Sequence, residues 1–459
     1  MAPGFNCLES LLIEEFHLLF GGFALLPGCP FPLIFHEGPI WMNRLTCEIE
    51  SMAFGAKGIA RDEGKVLFVP GGVPGDLVEA SVLKDKGRFA ELSIEHIRRP
   101  SHLRREAPCV HANACGGCQW LDISTAQQLD WKKDFLLSAL KKFGKLSASL
   151  NIEVWPSPQS TGYRHRVRFR VVDGQLGYLA QRTHRLVAIS QCAIAMPAIQ
   201  QFIEHWRREE PMVPDDLQLE VQEAEAGVMV TVLDQRLSPE VRKRISGWIE
   251  RIRRWPYVAW AGLMSQVSEA PCFKIESHLG VDFFTKPGQF YQANLAANRV
   301  LRCAVLEYAQ SRAGGEVLDL YCGSGNLSLP LARAGFRVMG VEGNRWSIEA
   351  ANHAVAMNRL EGAPDYIRRD ATRGLKEIMK EGRTFDFVIA DPPRSGLGDC
   401  VAPLLRLKPQ AMILVGCDPN HFARDVGRFV DAGYKIERLI LADFFPGTYH
   451  LESVAFMSH

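Results

Sequence analysis

The chain has 459 residues, 47% of them hydrophobic and 23% charged, which is the composition of a globular protein with two to four domains. Its formal charge of +1 excludes a uniformly basic nucleic-acid binder, so any phosphate-binding surface must be a local cluster. Twelve cysteines are too few for a disulfide scaffold, and the absence of an uninterrupted apolar run of 18 residues predicts a protein without a membrane partner.

Residues 1–42 form an apolar, aromatic leader that carries four glutamates and neither lysine nor arginine. A secretory signal needs a basic segment before its apolar core, so this leader does not qualify. We expect Met42 to be the natural start and the leader to be disordered or non-native.

Residues 43–105 alternate short apolar runs with glycines, which predicts a small antiparallel β-barrel. Its last hairpin and the residues that follow are rich in cations: Lys84, Lys86, Arg88, Arg98, Arg99, Arg104 and Arg105. Barrels of the OB type bind nucleic acid on such a face. A solvated charged surface explains the same pattern equally well.

Three cysteines, Cys109, Cys115 and Cys118, lie close together in the chain. Their spacing favours a metal or cluster site in a reducing compartment, so we expect a cytoplasmic protein. Residues 122–143 then predict one amphipathic helix, capped by Asp122 or Ser124.

A predicted strand within residues 162–190 carries an arginine at every second position, at Arg164, Arg166, Arg168 and Arg170. Side chains at this spacing share one face of a strand. Four guanidinium groups in a row repel unless anions neutralise them, so one interpretation is a track for backbone phosphates. The alternative is an edge strand whose arginines form salt bridges.

From about residue 315 the pattern changes to buried strands that alternate with helices. We predict strands at 317–320, 337–341, 385–390 and 411–415, and helices at 326–334 and 344–358. This alternation is typical of a parallel, doubly wound α/β sheet.

A glycine loop joins the first of these strands to its helix, with the sequence Asp319-Leu320-Tyr321-Cys322-Gly323-Ser324-Gly325-Asn326. Glu342 ends the next strand, where a carboxylate can hold both hydroxyls of a ribose. A dinucleotide site would have a third glycine where this chain has Ser328. The loop therefore fits S-adenosylmethionine better than a dinucleotide.

Two further loops at the carboxyl edge of the predicted sheet carry reactive side chains. One is Asp391-Pro392-Pro393-Arg394, which its prolines stiffen, and the other holds Cys417 just past strand 411–415. A lone cysteine at a strand end is usually a small buried hydrophobe. Cys417 differs because it lies beside the expected cofactor site.

A thiolate beside a methyl donor suits methylation of carbon 5 of uracil. Carbon 5 is a poor nucleophile. Attack of Cys417 on carbon 6 makes carbon 5 enolate-like, so that carbon 5 can take the methyl group. A shielded carboxylate must then remove the carbon-5 proton. Glu452, at the start of a final apolar strand, is our candidate for this base. Without the other residues, the simplest interpretation of Glu452 is an ordinary surface glutamate.

With these residues identified, the chain from about residue 43 onward resembles the RNA uracil-C5 methyltransferases, in particular their iron–sulfur members that act on 23S ribosomal RNA. The resemblance implies an OB-like TRAM barrel at 43–105 and a central α+β iron–sulfur and RNA-binding domain at 106–285. A Rossmann-like methyltransferase domain is implied at 286–459. It also implies that one 4Fe–4S cluster is held by the three clustered cysteines together with a remote one, namely by Cys109, Cys115, Cys118 and Cys192.

The same resemblance assigns the site residues. The family pattern Phe-Phe-Gln-x-Asn appears as Phe290-Tyr291-Gln292-Ala293-Asn294. Cys417 matches the nucleophile, and Glu452 matches the base. The residues expected to line the S-adenosylmethionine site are Gln292, Tyr321, Gly323, Gly325, Asn326, Glu342, Asp370 and Asp391.

The chain departs from the family beside the nucleophile, where Gly416-Cys417-Asp418-Pro419 replaces Ser-Cys-Asn-Pro. An inward-pointing Asp418 would disfavour the thiolate. The four cysteines are also compatible with zinc.

We expect a monomer that acts on RNA, and the barrel and the cluster favour 23S ribosomal RNA. The alternatives are a transfer-RNA uridine-C5 methyltransferase, an amino-group RNA methyltransferase that does not use Cys417, and a non-catalytic RNA-binding iron–sulfur protein.

Overall fold

The computed structural model describes residues 44–459 except 113, 148–149, 182, 210–212, 214–215, 313, 361 and 363. The predicted leader at 1–42 therefore lies outside the described residues. Among the helices described, none is long and apolar enough to cross a membrane.

The first sheet follows the predicted barrel segment. Its strands are β1 (Arg44–Glu48), β2 (Ser51–Ala53), β3 (Lys57–Asp62), β4 (Lys65–Pro70), β5 (Leu77–Asp85) and β6 (Phe89–Arg99), in the order β1-β5-β6-β4-β3-β2. β1 pairs with β5 while β2, two residues further on, pairs with β3, so one bent stretch of chain closes the sheet. The strands pair mostly antiparallel, as predicted, but β4 and β6 pair in parallel.

The second sheet contains the arginine strand. Its strands are β8 (Arg166–Val172), β9 (Gln175–Leu179), β10 (Leu186–Ala188), β11 (Leu217–Ala224), β12 (Gly227–Val232) and β13 (Val258–Leu263), in the order β10-β9-β8-β11-β12-β13. Its apolar face, with Val167 and Phe169, packs on two helices, α2 (Pro197–Glu209) and α3 (Pro239–Ile252). β8 lies inside this sheet, so it is not the edge strand of the alternative interpretation. A separate hairpin, β14 (Phe273–His278) and β15 (Val281–Thr285), follows.

The third sheet has eight strands. They are β7 (Glu153–Trp155), β16 (Glu316–Leu320), β17 (Arg337–Glu342), β18 (Asp365–Arg368), β19 (Phe387–Ala390), β20 (Ala411–Gly416), β21 (Lys435–Ala442) and β22 (Glu452–Ser458), in the order β18-β17-β16-β19-β20-β22-β21-β7. The strands from β18 to β20 are parallel, as predicted, whereas β22 runs antiparallel to β20 and β21.

Helices cover both faces of this third sheet. They are α1 (Thr125–Lys142), α4 (Leu295–Gln310), α5 (Leu329–Arg333), α6 (Arg345–Asn358), α7 (Ala371–Lys380), α8 (Val401–Leu407) and α9 (Pro419–Asp431). Successive strand residues alternate between two cores, with Ile389 on one face and Val388 on the other, so both faces are buried. This burial explains the uninterrupted apolar runs in the sequence.

α1 and β7 come from residues before the second sheet but pack with the third. Ser124 caps α1 by accepting a hydrogen bond from Gln127, which confirms one of the two predicted caps. Leu136 and Leu140 of α1 share a core with Phe422 of α9, and β7 pairs with β21. The third sheet thus draws on residues outside the predicted range 286–459.

Candidate active site

The glycine loop after β16 is a tight turn beside the end of β17. Gly323 and Gly325 both have positive φ values, of 56° and 82°. A Cβ atom on Gly325 would lie 2.7 Å from the side chains of Leu329 and Tyr366, so only glycine fits this close approach. The helix predicted at 326–334 begins only at Leu329, because the turn continues to that point.

Glu342 is fixed by two backbone amides. Gly323 N donates to its Oε2 at 3.2 Å, and Asn344 N donates to its Oε1 at 2.7 Å. The carboxylate therefore faces the glycine loop in a set orientation, with lone pairs left for a ligand.

Asn326 is held by a buried hydrogen-bond network. Its amide pairs reciprocally with Asn298, at 2.8 and 2.9 Å, and its Oδ1 accepts from Arg302 Nη2 at 2.7 Å. Arg302 is fully buried and also donates to Glu276 at 2.9 Å and to Tyr291 OH. The network ties the glycine loop to the segment that contains Gln292.

The sheet register brings Cys417 and Glu452 together. β20 pairs antiparallel with β22, and Gly416 stands opposite Ser453. Cys417 directly follows β20 and Glu452 is the first residue of β22, so both residues lie at the same end of this strand pair. Glu452 is 6% exposed, so it is not the surface glutamate of the alternative interpretation.

Burial and mutual repulsion raise the pKa values of the acidic groups here. Burial, then the charges of Glu452 and Asp391, raises the pKa of the Cys417 thiol to about 12, while Arg394 opposes this rise. Burial and Asp391 also raise the pKa of Glu452 well above its usual value. Asp391, whose pKa burial raises to about 6, accepts a hydrogen bond from Gln292 Nε2 at 3.0 Å.

The side chain of Asp418 is engaged by the helix that follows it. Its carboxylate caps α9 by accepting from Asn420 N and His421 N, each at 3.0 Å. It is also not among the groups that shift the pKa of Cys417. The departure from the family pattern therefore places its charge on a helix N-terminus, where a carboxylate is stabilising.

One cavity of about 1210 Å³ collects most of the predicted residues. Its lining includes Cys417, Glu452, Gln292, Tyr321, Gly323, Asn326, Glu342, Asp391 and the cysteines Cys109, Cys115, Cys118 and Cys192. Gly325 and Asp370 do not line it. Gly325 shapes the turn, and the exposed Asp370 caps α7 through Thr372 N and Arg373 N.

The four cysteines predicted as cluster ligands line this same cavity. All four are unpaired thiols. Burial and the charges of the other cysteines raise the pKa of Cys118 to about 12, so thiolates here would repel one another without a cation. Among the described residues, no group of three or more His, Cys, Asp or Glu side chains is arranged to hold a single metal ion.

Two cavity residues were not predicted from the sequence. Burial, with repulsion from Asp391 and Glu342, raises the pKa of Asp319 to about 7. Its Oδ2 has no hydrogen-bond partner among the described residues. Burial lowers the pKa of His450 to about 4, so it is neutral at pH 7. An acid inside the apolar run 317–320 was the available signal for Asp319.

Three of the seven basic residues predicted for the barrel segment are engaged in ion pairs. Arg98 pairs with Glu79, Arg99 with Glu48, and Arg104 with Asp76 and Asp122. In β8, Arg166 and Arg168 both donate to the buried Glu220 at 2.7 Å. The anion that the arginine row needs is therefore supplied, in part, by the protein itself.

The fold and this cavity define an α/β S-adenosylmethionine-dependent methyltransferase. Residues 281–459 match the family model described as tRNA (Uracil-5-)-methyltransferase. The chain is similar over its length to the solved structure of Pyrococcus abyssi tRNA (uracil-54, C5)-methyltransferase in complex with S-adenosyl-L-homocysteine. That likeness has a TM-score of 0.64 and 24% identity, and it covers 90% of this chain and 99% of the other.

Curated relatives carry the comparison further. The chain is 30% identical to the 23S rRNA (uracil(1939)-C(5))-methyltransferase RlmD of Pseudomonas aeruginosa, over 90% of this chain and 93% of the relative. It is 31% identical to the protein of the same name from Marinomonas sp., over 89% and 93%. The chain belongs to the RNA uracil-C5 methyltransferase family.

Proposed function

We propose that this protein transfers a methyl group from S-adenosylmethionine to carbon 5 of a uridine in 23S ribosomal RNA. Cys417 is the nucleophile and Glu452 the base. The observation that carries this proposal is that Cys417, directly after β20, and Glu452, at the start of the paired strand β22, line the same cavity as the glycine loop. The relatives at 30% and 31% identity, which are named for 23S rRNA, support the substrate.

The chemistry follows from the two side chains. The Cys417 thiolate adds to carbon 6 of the uracil, and the electron pair of the former C5=C6 bond makes carbon 5 nucleophilic. Carbon 5 then takes the methyl group, and S-adenosylhomocysteine leaves. Glu452 accepts the carbon-5 proton, the C5=C6 bond re-forms, and the Cys417 Sγ–carbon 6 bond breaks to restore the thiolate. The target uridine must be flipped out, because a stacked base hides carbon 6.

The residues around the glycine loop fit S-adenosylmethionine, which supplies the methyl group. The fixed Glu342 carboxylate suits the ribose hydroxyls, and Gly323 gives the backbone room to approach. Tyr321, Asn326, Gln292 and Asp391 complete the lining. Gly325 and Asp370 contribute through the shape of the turn and of α7.

The four cysteines fit a 4Fe–4S cluster. A single zinc ion needs its ligands to converge on one point, whereas each iron of a cluster takes its own thiolate. The four thiols are unpaired and line one cavity, and among the described residues no three His, Cys, Asp or Glu side chains converge on one point. This arrangement fits a 4Fe–4S cluster better than a single zinc ion. In this proposal the cluster has a structural role.

The closed sheet of β1–β6 is assigned as an OB-like TRAM barrel for RNA. Its hairpin tip carries Lys84, Lys86 and Arg88 beside the exposed Leu83 and Phe89, a mixture of cations and apolar side chains that suits a nucleic-acid surface. The domain ranges 43–105, 106–285 and 286–459, a cytoplasmic location and a monomeric state complete this proposal.

Replacing Cys417 with alanine tests the nucleophile. We expect Cys417→Ala to lower kcat by at least about 10³-fold, since the reaction loses its covalent step. A fragment of 23S rRNA that carries 5-fluorouridine should form a denaturation-resistant complex with the native protein and not with the variant. Cys303→Ala, at an exposed cysteine outside the cavity, is the matched control. Full activity in Cys417→Ala would exclude the covalent mechanism and leave the amino-group reaction.

A further inference from the structure

The base Glu452 follows a loop that carries much of the cavity wall. Residues 443–451 connect β21 to β22, and Glu452 is the first residue of β22. Tyr449 and His450 of this loop line the cavity. The position of the carboxylate therefore depends on how the loop is held.

Two buried polar residues of α1 hold the start of this loop. Lys132 Nζ donates to Asp443 Oδ1 at 2.7 Å and to the carbonyl of Phe445 at 3.1 Å. Gln128 accepts from Gly447 N at 2.7 Å. The side chains of Lys132 and Asp443 are both 0% exposed.

Gln128 also reaches back to the segment that follows the cysteines. Its Nε2 donates to the carbonyls of Trp120 and Ile123 at 2.8 and 2.9 Å. Trp120 N in turn donates to the carbonyl of Gly447 at 2.8 Å. Gln128 and Lys132 are four residues apart, so they share one face of α1 and act on the loop together.

Such an arrangement is unusual for polar side chains in a core. A buried ion pair is not in itself a strong source of stability, because desolvation of both charges opposes their attraction. Its advantage is geometric, since each group has only one place where it is satisfied. Here that place sets the path of residues 443–447, which is the route into Glu452.

We propose that Gln128 and Lys132 are positioning residues for the general base. They hold the β21–β22 loop so that the Glu452 carboxylate faces carbon 5 of the covalently bound base. This inference rests on the proposed function, and it adds two residues of α1, more than 300 positions away in the chain, to the proton-removal step.

The role predicts a specific defect. Attack by Cys417 and methyl transfer both precede the step that needs Glu452. A misplaced carboxylate therefore leaves the first two steps intact and slows removal of the carbon-5 proton. The Cys417–carbon 6 bond then persists, and an RNA adduct that already carries the methyl group accumulates.

The test compares Gln128→Met and Lys132→Met with the native protein and with Lys141→Met, an exposed site on the same helix. With unmodified 23S rRNA fragment and S-adenosylmethionine labelled in its methyl group, we expect both variants to build up denaturation-resistant, labelled adduct. Their kcat should fall on the order of 10- to 100-fold, with KM for S-adenosylmethionine nearly unchanged. Lys141→Met should behave as native.

The double variant Lys132→Met/Asp443→Leu controls for stability. It removes both charges of the pair, so it leaves no unpaired buried charge, yet it still releases the loop. If it melts as the native protein does and still accumulates adduct, the positioning role holds. Native turnover without adduct in the double variant and in Gln128→Met would overturn it.

The 5-fluorouridine complex separates this inference from the proposed function. That complex forms without proton removal, so it should form equally in the native protein and in all four variants. A native protein that fails to form it contradicts the proposed function. Variants that form it normally but turn over unmodified RNA at the native rate contradict only the positioning role.

Discussion

The reactivity of Cys417 is set by the groups around it. Its thiol is half-buried and faces two carboxyl groups, Glu452 and Asp391, which together with burial raise its pKa. The thiol form therefore dominates in the free protein at neutral pH. A sulfonium cation in the same cavity would oppose the carboxylate charges, so binding of the methyl donor and ionisation of the thiol should favour each other.

Glu452→Gln provides a test of this electrostatic coupling in the free protein. Because the charge of Glu452 is one of the causes that raise the pKa of the Cys417 thiol, removal of that charge should lower the pKa. We expect alkylation of Cys417 by iodoacetamide, followed by peptide mass spectrometry, to reach half its maximal rate about one pH unit lower or more. Glu377→Gln, at a half-buried position of α7 outside the cavity, should leave the profile unchanged. An unmoved profile in Glu452→Gln would mean that burial alone raises the pKa.

Residue types and their spacing predicted the members of the candidate site but not the directions of their side chains. Cys417 and Glu452 could be singled out because each adjoins a strand of the sheet and the proposed chemistry needs both. The direction of Asp418 could not be predicted, since a helix cap and an inward charge have the same local sequence. The hydrogen-bond partners of Asn326 could not be predicted either, because Asn298 and Arg302 lie in α4, more than 20 residues earlier in the chain.

At the scale of elements, β8 combines a structural role with free positive charge. Glu220 neutralises one of the two arginines that it contacts. Arg164 and Arg170 have no carboxylate partner within the part of the chain that the structure describes. The row of four arginines thus retains a net positive charge, as a phosphate track requires, and Arg164, Arg166 and Arg168 line the cavity.

Arg168→Gln/Arg170→Gln tests the track while Arg166 remains as the ion-pair partner of the buried Glu220. We expect weaker binding to a 23S rRNA fragment at all salt concentrations, because both exposed cations are lost. The slope of log Kd against log salt should fall by about 0.7 for each phosphate contact removed from a single strand. Arg251→Gln/Arg254→Gln, at the end of α3 on the opposite face of the sheet, is the control. A salt slope equal to that of the control would leave these arginines without a role in RNA binding.

The elements that the sequence predicted best have strong local patterns. The short strands of the segment 43–105 were expected, and α1 and the parallel strands β16, β17, β19 and β20 lie close to their predicted ranges, whereas β18 was not predicted. β7 was not predicted, since three residues at the sheet edge leave almost no periodic signal. The antiparallel direction of β22 was equally hidden, because a buried strand is apolar whichever way it runs.

At the scale of the whole molecule, the cysteine cluster lies where several segments meet. Leu121, Tyr163 and Ile194 form a small core against which Cys109, Cys118 and Cys192 pack. Tyr163 donates to the carbonyl of Pro446 at 3.0 Å, so this core also touches the loop before Glu452. A centre bound by the cysteines would therefore join residues 109–118, the second sheet and the β21–β22 loop.

Loss of one cysteine tests this assignment for the intact protein. We expect anaerobically purified protein to contain about four iron and four acid-labile sulfide per chain. Cys192→Ala should lose most of both and should melt at a lower temperature, because the remote ligand no longer ties residue 192 to residues 109–118 and metal binding is coupled to folding. Cys303→Ala should retain the full content. One zinc and no sulfide per native chain would show that the cysteines hold zinc and not a cluster. A native protein without metal, together with an unchanged melting temperature in Cys192→Ala, would exclude both kinds of site.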